Sequence, residues 1–252
     1  MINAYKMRIY LTLFFVMNLS LLSIGQGEDS KANYLNEIRK QNYSVVLKPD
    51  IKMAEPLGYF GDNYQRIRVK FISVIKSESD PLEYLVYGKT MLKDNISEFQ
   101  GTIKIQKCYL YSESDIPEYK QGQVVASYQF FEDERKVKTG AFSGTITSGF
   151  MIDPEGQLRY DNLMWGADGY RNNQYEGQWK SYTSGKIYIC NWGNDRIPNS
   201  NELDYGAGEF GVGEEYWDRG WKTYEVAKGY GTAATDEEVQ AARAIESRQW
   251  WE

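Results

Sequence analysis

Apolar and polar positions alternate through the middle of the chain. From residue 99 to 106, one set of alternate positions holds Phe99, Gly101, Ile103 and Ile105, and the other set is polar. A period of two is typical of a β-strand with one buried face. Seven other segments, bounded by turn formers, also have strand character: residues 66–76, 82–91, 123–131, 141–152, 157–163, 174–182 and 186–190.

Eight strands without an intervening helical pattern indicate a mainly all-β fold, an antiparallel up-and-down meander. Three of the strands share the order aromatic, any residue, glycine, any residue, large apolar, centred on Gly101, Gly144 and Gly177. A glycine on a buried face leaves room for a neighbouring ring or for strong curvature of the sheet. Because closure also removes exposed edges, we predict a barrel of about eight strands.

Short helices are expected at both ends of this meander. The polar segment 30–42 can form a helix with Tyr34, Leu35 and Ile38 turned inward. Thr235 and Glu238 have the spacing of a capping box and predict a helix over residues 235–248. The side chains that can dock this helix on the domain are Val239, Ala242, Ile245 and Trp250. A helix exposed for a partner is the alternative.

The N-terminal segment has the pattern of a secretory signal peptide. Lys6 and Arg8 precede an apolar run over residues 9–24. The run is short beside the roughly 20 apolar residues of a membrane span, and it ends in small residues at the positions that a signal peptidase reads. We predict a signal peptide over residues 1–25, cleaved before Gln26, and export to the periplasm or the medium. An uncleaved anchor is the alternative; after cleavage no membrane-spanning segment is expected.

The rest of the chain, residues 26–252, is predicted to form a single β-rich domain, because barrels and sandwiches commonly reach this size undivided. The strand meander covers residues 66–190. A loop-rich aromatic segment follows at 191–230, and the C-terminal helix at 235–248 closes the chain.

Net charge argues against nucleic acid as a partner. The formal charge is −6 for the whole chain, and loss of Lys6 and Arg8 with the signal peptide makes it more negative. A phosphate-backbone binder needs a basic face. The one basic cluster, Arg135, Lys136 and Lys138, lies beside three acidic residues and is interpreted as a solvated turn.

The sequence contains no histidine. This excludes Ser-His-Asp and Cys-His catalysis and every histidine-ligated metal site, whereas paired carboxylates need no imidazole. Short-interval oxygen ligands that calcium could use occur at Asp195, Asn199, Asn201 and Asp204, without the spacing of an EF-hand. We expect no metal and no other cofactor.

Two cysteines, Cys108 and Cys190, are the only thiols of the chain. In an oxidising compartment they could form a disulfide. Two separate buried thiols are the alternative, because the sequence gives no distance between them.

All seven tryptophans occur at or after residue 165. Aromatic rings on loops beside polar residues are typical of sugar-binding surfaces, since the ring covers an apolar sugar face while polar neighbours bond the hydroxyls. The predicted ligand contacts are Trp192, Arg196, Trp217 and Trp221. Packing of these rings over a barrel end is the alternative. The turn-rich loop 168–173 is a further candidate for ligand binding, and a plain hairpin loop is the alternative.

Two family resemblances follow from these motifs. The aromatic-x-Gly-x-apolar strands in a meander behind a signal peptide resemble the calycins, lipocalin-like barrels, and this resemblance implies a cavity for a small ligand. Tyr175, Gly177 and Trp179 lie in a segment similar to the core of a MORN repeat. The segment 190–210 also resembles exported proteins of the bacterial envelope.

Three functions are therefore considered. The first is a non-enzymatic exported barrel that binds a small molecule or a glycan. The second is an envelope interaction or structural protein with a filled core and a protein partner. The third is a saccharide hydrolase that uses two carboxylates of the acidic segment 195–218 as acid and base.

Overall fold

A computed structural model describes residues 31–50 and 54–252, except for the side chain of Lys31. The predicted signal peptide and its cleavage point before Gln26 lie outside these residues. The helices in the described part are α1 (Leu35–Ile38), α2 (Ser44–Leu47), α3 (Lys222–Lys228) and α4 (Asp236–Glu246), with 3-10 turns at Asn201–Leu203 and Glu214–Arg219.

One antiparallel sheet contains all the strands of the described residues. They are β1 (Lys31–Asn33), β2 (Leu57–Phe60), β3 (Gln65–Lys76), β4 (Glu83–Leu92), β5 (Asn95–Tyr111), β6 (Lys120–Glu132), β7 (Gly140–Ile152), β8 (Leu158–Tyr160), β9 (Asn172–Ser181) and β10 (Ile187–Asn194). The predicted all-β, antiparallel fold is confirmed.

The sheet closes into a ring. Each strand from β2 to β6 pairs with the strand that follows it in the chain. The ring continues from β7 to β9 and from β9 to β10, and β10 pairs with β2 to close it. This is the predicted up-and-down order. Closure is uneven, because β2 meets β3 at only two positions, Tyr59 opposite Arg66 and Phe60 opposite Gln65. We call the end with the β4–β5, β6–β7 and β9–β10 hairpins the hairpin end, and the opposite end the loop end.

The ring differs in membership from the eight predicted strands. Residues 157–163 contribute only the short strand β8, which pairs with β7 and lies off the ring. The eighth ring member is β2, which the sequence pattern did not predict. Four residues directly after Pro56 are too few to show a period of two, so pairing with β10 defines this strand.

Aromatic side chains fill the interior of the ring. Trp192 stacks on Tyr175 with ring centroids 4.8 Å apart, and Tyr128 stacks on Phe130 at 4.9 Å. Glycine makes this packing possible, because a Cβ on Gly177 would lie 2.4 Å from the Tyr128 hydroxyl. The ring therefore encloses a packed core.

The predicted disulfide is wrong. Cys108 and Cys190 are both buried and unpaired. Cys108 lies on β5 and Cys190 on β10, and four steps around the ring separate these strands in either direction. They therefore face the core from opposite walls, whereas a disulfide needs Cα atoms within about 7 Å.

A second core lies outside the ring, where residues 197–221 cover β2 and the end of β10. Leu57 and Tyr59 on β2 are buried in the same apolar cluster as Trp221, whose indole Nε1 donates to the Tyr64 carbonyl at 2.8 Å. The Asn191 amide on β10 donates to the Tyr59 hydroxyl at 3.0 Å. This layer covers β2, the strand whose pairing with β3 is limited to two positions.

Helices α1 and α2 pack at the loop end of the barrel, whereas α3 and α4 pack on each other beside the outer face of β3. Ile38 of α1 is buried in the main core, and Thr235 caps α4 with both halves of the expected capping box. Val239, Ala242 and Trp250 are buried as predicted, whereas Ile245 is exposed. None of the helices in the described residues is both long and apolar enough to span a membrane.

Candidate functional site

The structure distributes the four predicted ligand contacts over separate places. Trp192 is 1% exposed in the barrel core, and Trp221 is fully buried in the second core. Trp217 lines a groove beside α4, and Arg196 lines a cleft at the loop end. Packing, the alternative for these rings, accounts for the burial of Trp192 and Trp221; no single site contains all four residues.

The cleft beside Arg196 has a volume of about 530 Å³. It lies where β2 and β9 begin and β10 ends, so loops attached to neighbouring strands form its walls. Its lining combines aliphatic and aromatic side chains with carboxylates: Leu57, Trp165, Asp168, Tyr170, Asp195, Glu209, Phe210 and Tyr224. The size and the mixed lining are those of a small-molecule site.

Trp165 and Asp195 meet at this cleft. The indole of Trp165 is 60% exposed, yet its Nε1 donates to Asp195 Oδ1 at 3.3 Å. Burial raises the pKa of Asp195 above its ordinary value of 3.8, and the hydrogen bond from Trp165 partly opposes this shift. An exposed ring is thus tied to a partly desolvated carboxylate.

The loop that carries Trp165 is anchored at several points. The Tyr170 hydroxyl donates to the Asp161 carbonyl at 2.6 Å, and the Gly169 amide donates to the Gly208 carbonyl at 2.9 Å. Gly166 and Gly169 have positive φ angles of 92° and 74°, which an L side chain rarely adopts. This loop includes part of the turn-rich segment 168–173, the candidate binding loop of the sequence.

Arg196 fixes another part of the cleft wall. Its guanidinium forms an ion pair with Asp204 and donates to the carbonyls of Gly206 at 3.0 Å and Gly208 at 2.9 Å. The positive charge is therefore already neutralised, and the side chain fixes the 204–208 backbone. Arg196 therefore positions the cleft wall, and its own charge is not free to bind an anionic ligand.

The residues considered for calcium are used in other contacts. Asp204 Oδ1 accepts from the amides of Gly206 and Gly211, and the Asn199 amide donates to Glu176 at 2.7 Å. Among the described residues, no group of three or more acidic or cysteine side chains has an arrangement suited to a metal ion.

The other carboxylates of the cleft differ in availability. Glu55 accepts from Arg68 Nε at 2.8 Å and from Trp250 Nε1 at 2.9 Å, so its oxygens are occupied. Asp168 and Glu209 lie in the lining without an ion pair to any described residue. Together with Asp195, they make the cleft acidic and rich in hydrogen-bond acceptors.

Sequence reasoning missed Trp165 as the central ring of this cleft. The available signal was a tryptophan next to a glycine-rich turn, but the partner Asp195 lies 30 residues further along the chain. Comparisons with protein-family models, with curated proteins and with solved structures find no match. The calycin and MORN resemblances therefore stay predictions.

Proposed function

We propose that the protein is an exported, non-enzymatic β-barrel that binds a neutral saccharide in the loop-end cleft. The observation that carries the proposal is the contact between Trp165 and Asp195. An indole that is largely exposed and also oriented by a hydrogen bond forms a ready platform for an apolar sugar face. The packed ring core supports a site at the loop end rather than one inside the barrel.

The charges of the cleft favour a neutral polyhydroxylated ligand. Sugar hydroxyls can donate to the oxygens of Asp168, Asp195 and Glu209, and hydrogen bonds to ionised acceptors are the stronger kind. An anionic ligand would meet these three carboxylates, while the guanidinium of Arg196 is held by Asp204. A phosphate or uronic acid is therefore disfavoured.

The test is titration of the protein with neutral oligosaccharides of defined linkage, followed by calorimetry. We expect saturable binding of at least one of them and at least a ten-fold loss of affinity in Trp165→Ala. Trp251→Ala is the matched control, because Trp251 is partly buried beside Lys70 and does not line the cleft. Equal affinity of wild type and Trp165→Ala would refute the site.

The chain length of the oligosaccharide after incubation with the protein separates binding from hydrolysis. A raised pKa is what a general acid needs, so Asp195 is the residue that a hydrolase would use. We expect the oligosaccharide to keep its chain length after long incubation with the protein. Shortened products that disappear in Asp195→Asn would establish the hydrolase instead.

One observation favours an interaction protein as a second function. The barrel core is filled, and its outer wall exposes Ile75 directly opposite Leu85. Paired apolar side chains on a solvent face are suited to cover by a partner. Light scattering of wild type and Leu85→Lys tests this, since association that depends on this face is lost in the variant while saccharide binding is unchanged.

A further inference from the structure

A second pocket lies at the hairpin end of the barrel, away from the loop-end cleft. It has a volume of about 200 Å³, and the ends of β2, β6, β9 and β10 contribute to its wall. Its lining includes four aromatic side chains, Phe60, Phe142, Trp179 and Tyr188, together with the carboxylate of Glu132. This inference is independent of the saccharide proposal, because the two sites share no lining residue.

Glu132 is a buried carboxylate that accepts hydrogen bonds from neutral donors. It is 8% exposed, and its Oε2 accepts from the Trp179 indole Nε1 at 2.9 Å and from the Gly140 amide at 2.8 Å. No described cation forms an ion pair with it. Burial raises the pKa of Glu132, whereas the donated hydrogen bonds lower it by stabilising the charged form.

Three of these rings form a connected wall beside this carboxylate. Phe60 lies 5.2 Å from Tyr188 and 5.5 Å from Trp179 between ring centroids, and Trp179 lies 6.0 Å from Tyr188. The faces of aromatic rings attract cations through their quadrupoles. A wall of this kind next to an acceptor without a counter-ion is complementary to a positive charge with an apolar surface.

We propose that the hairpin-end pocket binds a small organic ammonium ion, with the cation beside Glu132 and its alkyl groups against Phe60, Trp179 and Tyr188. The volume is below the range of about 300–1,000 Å³ that is typical of drug-sized ligands. The pocket therefore takes an ammonium headgroup rather than a large molecule. A bare metal ion would leave the aromatic wall unused.

Lys138 is the intramolecular competitor for this site. It lies in the β6–β7 hairpin, lines the pocket and is exposed, with a positive φ of 61°. Its ammonium group carries the same charge as the proposed ligand. Removal of the Lys138 ammonium group should therefore strengthen binding of the organic ammonium ion. A purely apolar pocket would not show this effect.

The experiment compares choline with its neutral isostere 3,3-dimethylbutan-1-ol, each titrated into the full chain and followed by calorimetry. We expect saturable binding of choline, with the alcohol at least ten-fold weaker. Equal affinities would show an apolar pocket without charge recognition, and no binding of either probe would refute the site. Either result overturns the proposal.

Three variants locate the binding. Glu132→Gln keeps an acceptor for Trp179 and should weaken choline binding at least ten-fold. Lys138→Gln should strengthen it several-fold, while Lys136→Gln, in the same hairpin but outside the lining, should not change it. If Glu132→Gln fails to fold, Tyr188→Leu at the partly exposed rim still tests the site, because loss of its ring should weaken choline and leave the alcohol unaffected.

Discussion

Trp192 lies parallel to Tyr175 in the centre of the barrel, with ring centroids 4.8 Å apart and ring planes 17° apart. The two residues face each other across β9 and β10 as direct register partners. Cross-strand aromatic pairs of this kind stabilise a sheet as well as filling its core. The ring that the sequence proposed as a ligand contact is therefore a central packing element.

Replacement of Trp192 by alanine should destabilise the protein. Truncation of a buried Trp creates a cavity and costs about 3–5 kcal/mol. Chemical denaturation followed by circular dichroism measures the free energy of unfolding, with Trp251→Ala as a control that should cost much less. A stability equal to wild type would contradict the packing of this ring.

Gly177→Ala should also destabilise the fold. Its Cβ would lie 2.3 Å from the Ser143 carbonyl oxygen and 2.4 Å from the Tyr128 hydroxyl, and overpacking of a core typically costs about 1–3 kcal/mol. The matched control is Gly149→Ala on β7, where the nearest atoms, in Asn172, are at least 3.4 Å away. Equal melting temperatures for the two variants would argue against the close approach at Gly177.

Trp165→Phe should raise the pKa of Asp195 further. The substitution keeps an aromatic ring but removes the Nε1 donor that stabilises the charged carboxylate. Carboxyl titration by NMR of wild type and variant measures the change, and Trp251→Phe should leave this pKa unaltered. A lower value in Trp165→Phe would contradict the hydrogen bond.

Saccharide affinity should decrease on acidification. Since Asp195 has a pKa above its ordinary 3.8, its proton returns as the pH falls through that raised value, and one ionised acceptor is lost. Affinity should therefore be constant at neutral pH and weaken in the acidic range. In Asp195→Asn this part of the pH dependence should be absent; its persistence would assign the effect to another group.

Both cysteines should remain unreactive in the folded protein. Burial raises the pKa of Cys108 to about 12 and also raises the pKa of Cys190, so neither forms much thiolate at neutral pH. Iodoacetamide should label neither thiol until denaturant is added, and then both. Intact mass spectrometry gives the count, and an unlabelled denatured chain would indicate the disulfide that the structure does not contain.

Local patterns in the sequence predicted much of the fold. The alternation around Ile103 predicted strand β5, and the capping box of Thr235 and Glu238 predicted the start of α4. Both patterns could be recognised because they involve residues only a few positions apart. The shared glycine pattern at Gly101, Gly144 and Gly177 indicated curvature and room for rings. Each of these signals is contained in a single segment.

Only the tertiary structure determined the features that depend on ring closure, which are the strands of the ring and the contacts between distant residues. The four residues of β2 form a strand because they pair with β10. They complete the ring, whereas β8, from the segment 157–163 that was predicted to be a ring strand, lies outside it. Closure also put Cys108 and Cys190 on opposite walls, buried Trp192, and brought Trp165 to Asp195. Contacts between residues distant in the chain depend on the order and register of all the strands between them, which no single segment encodes.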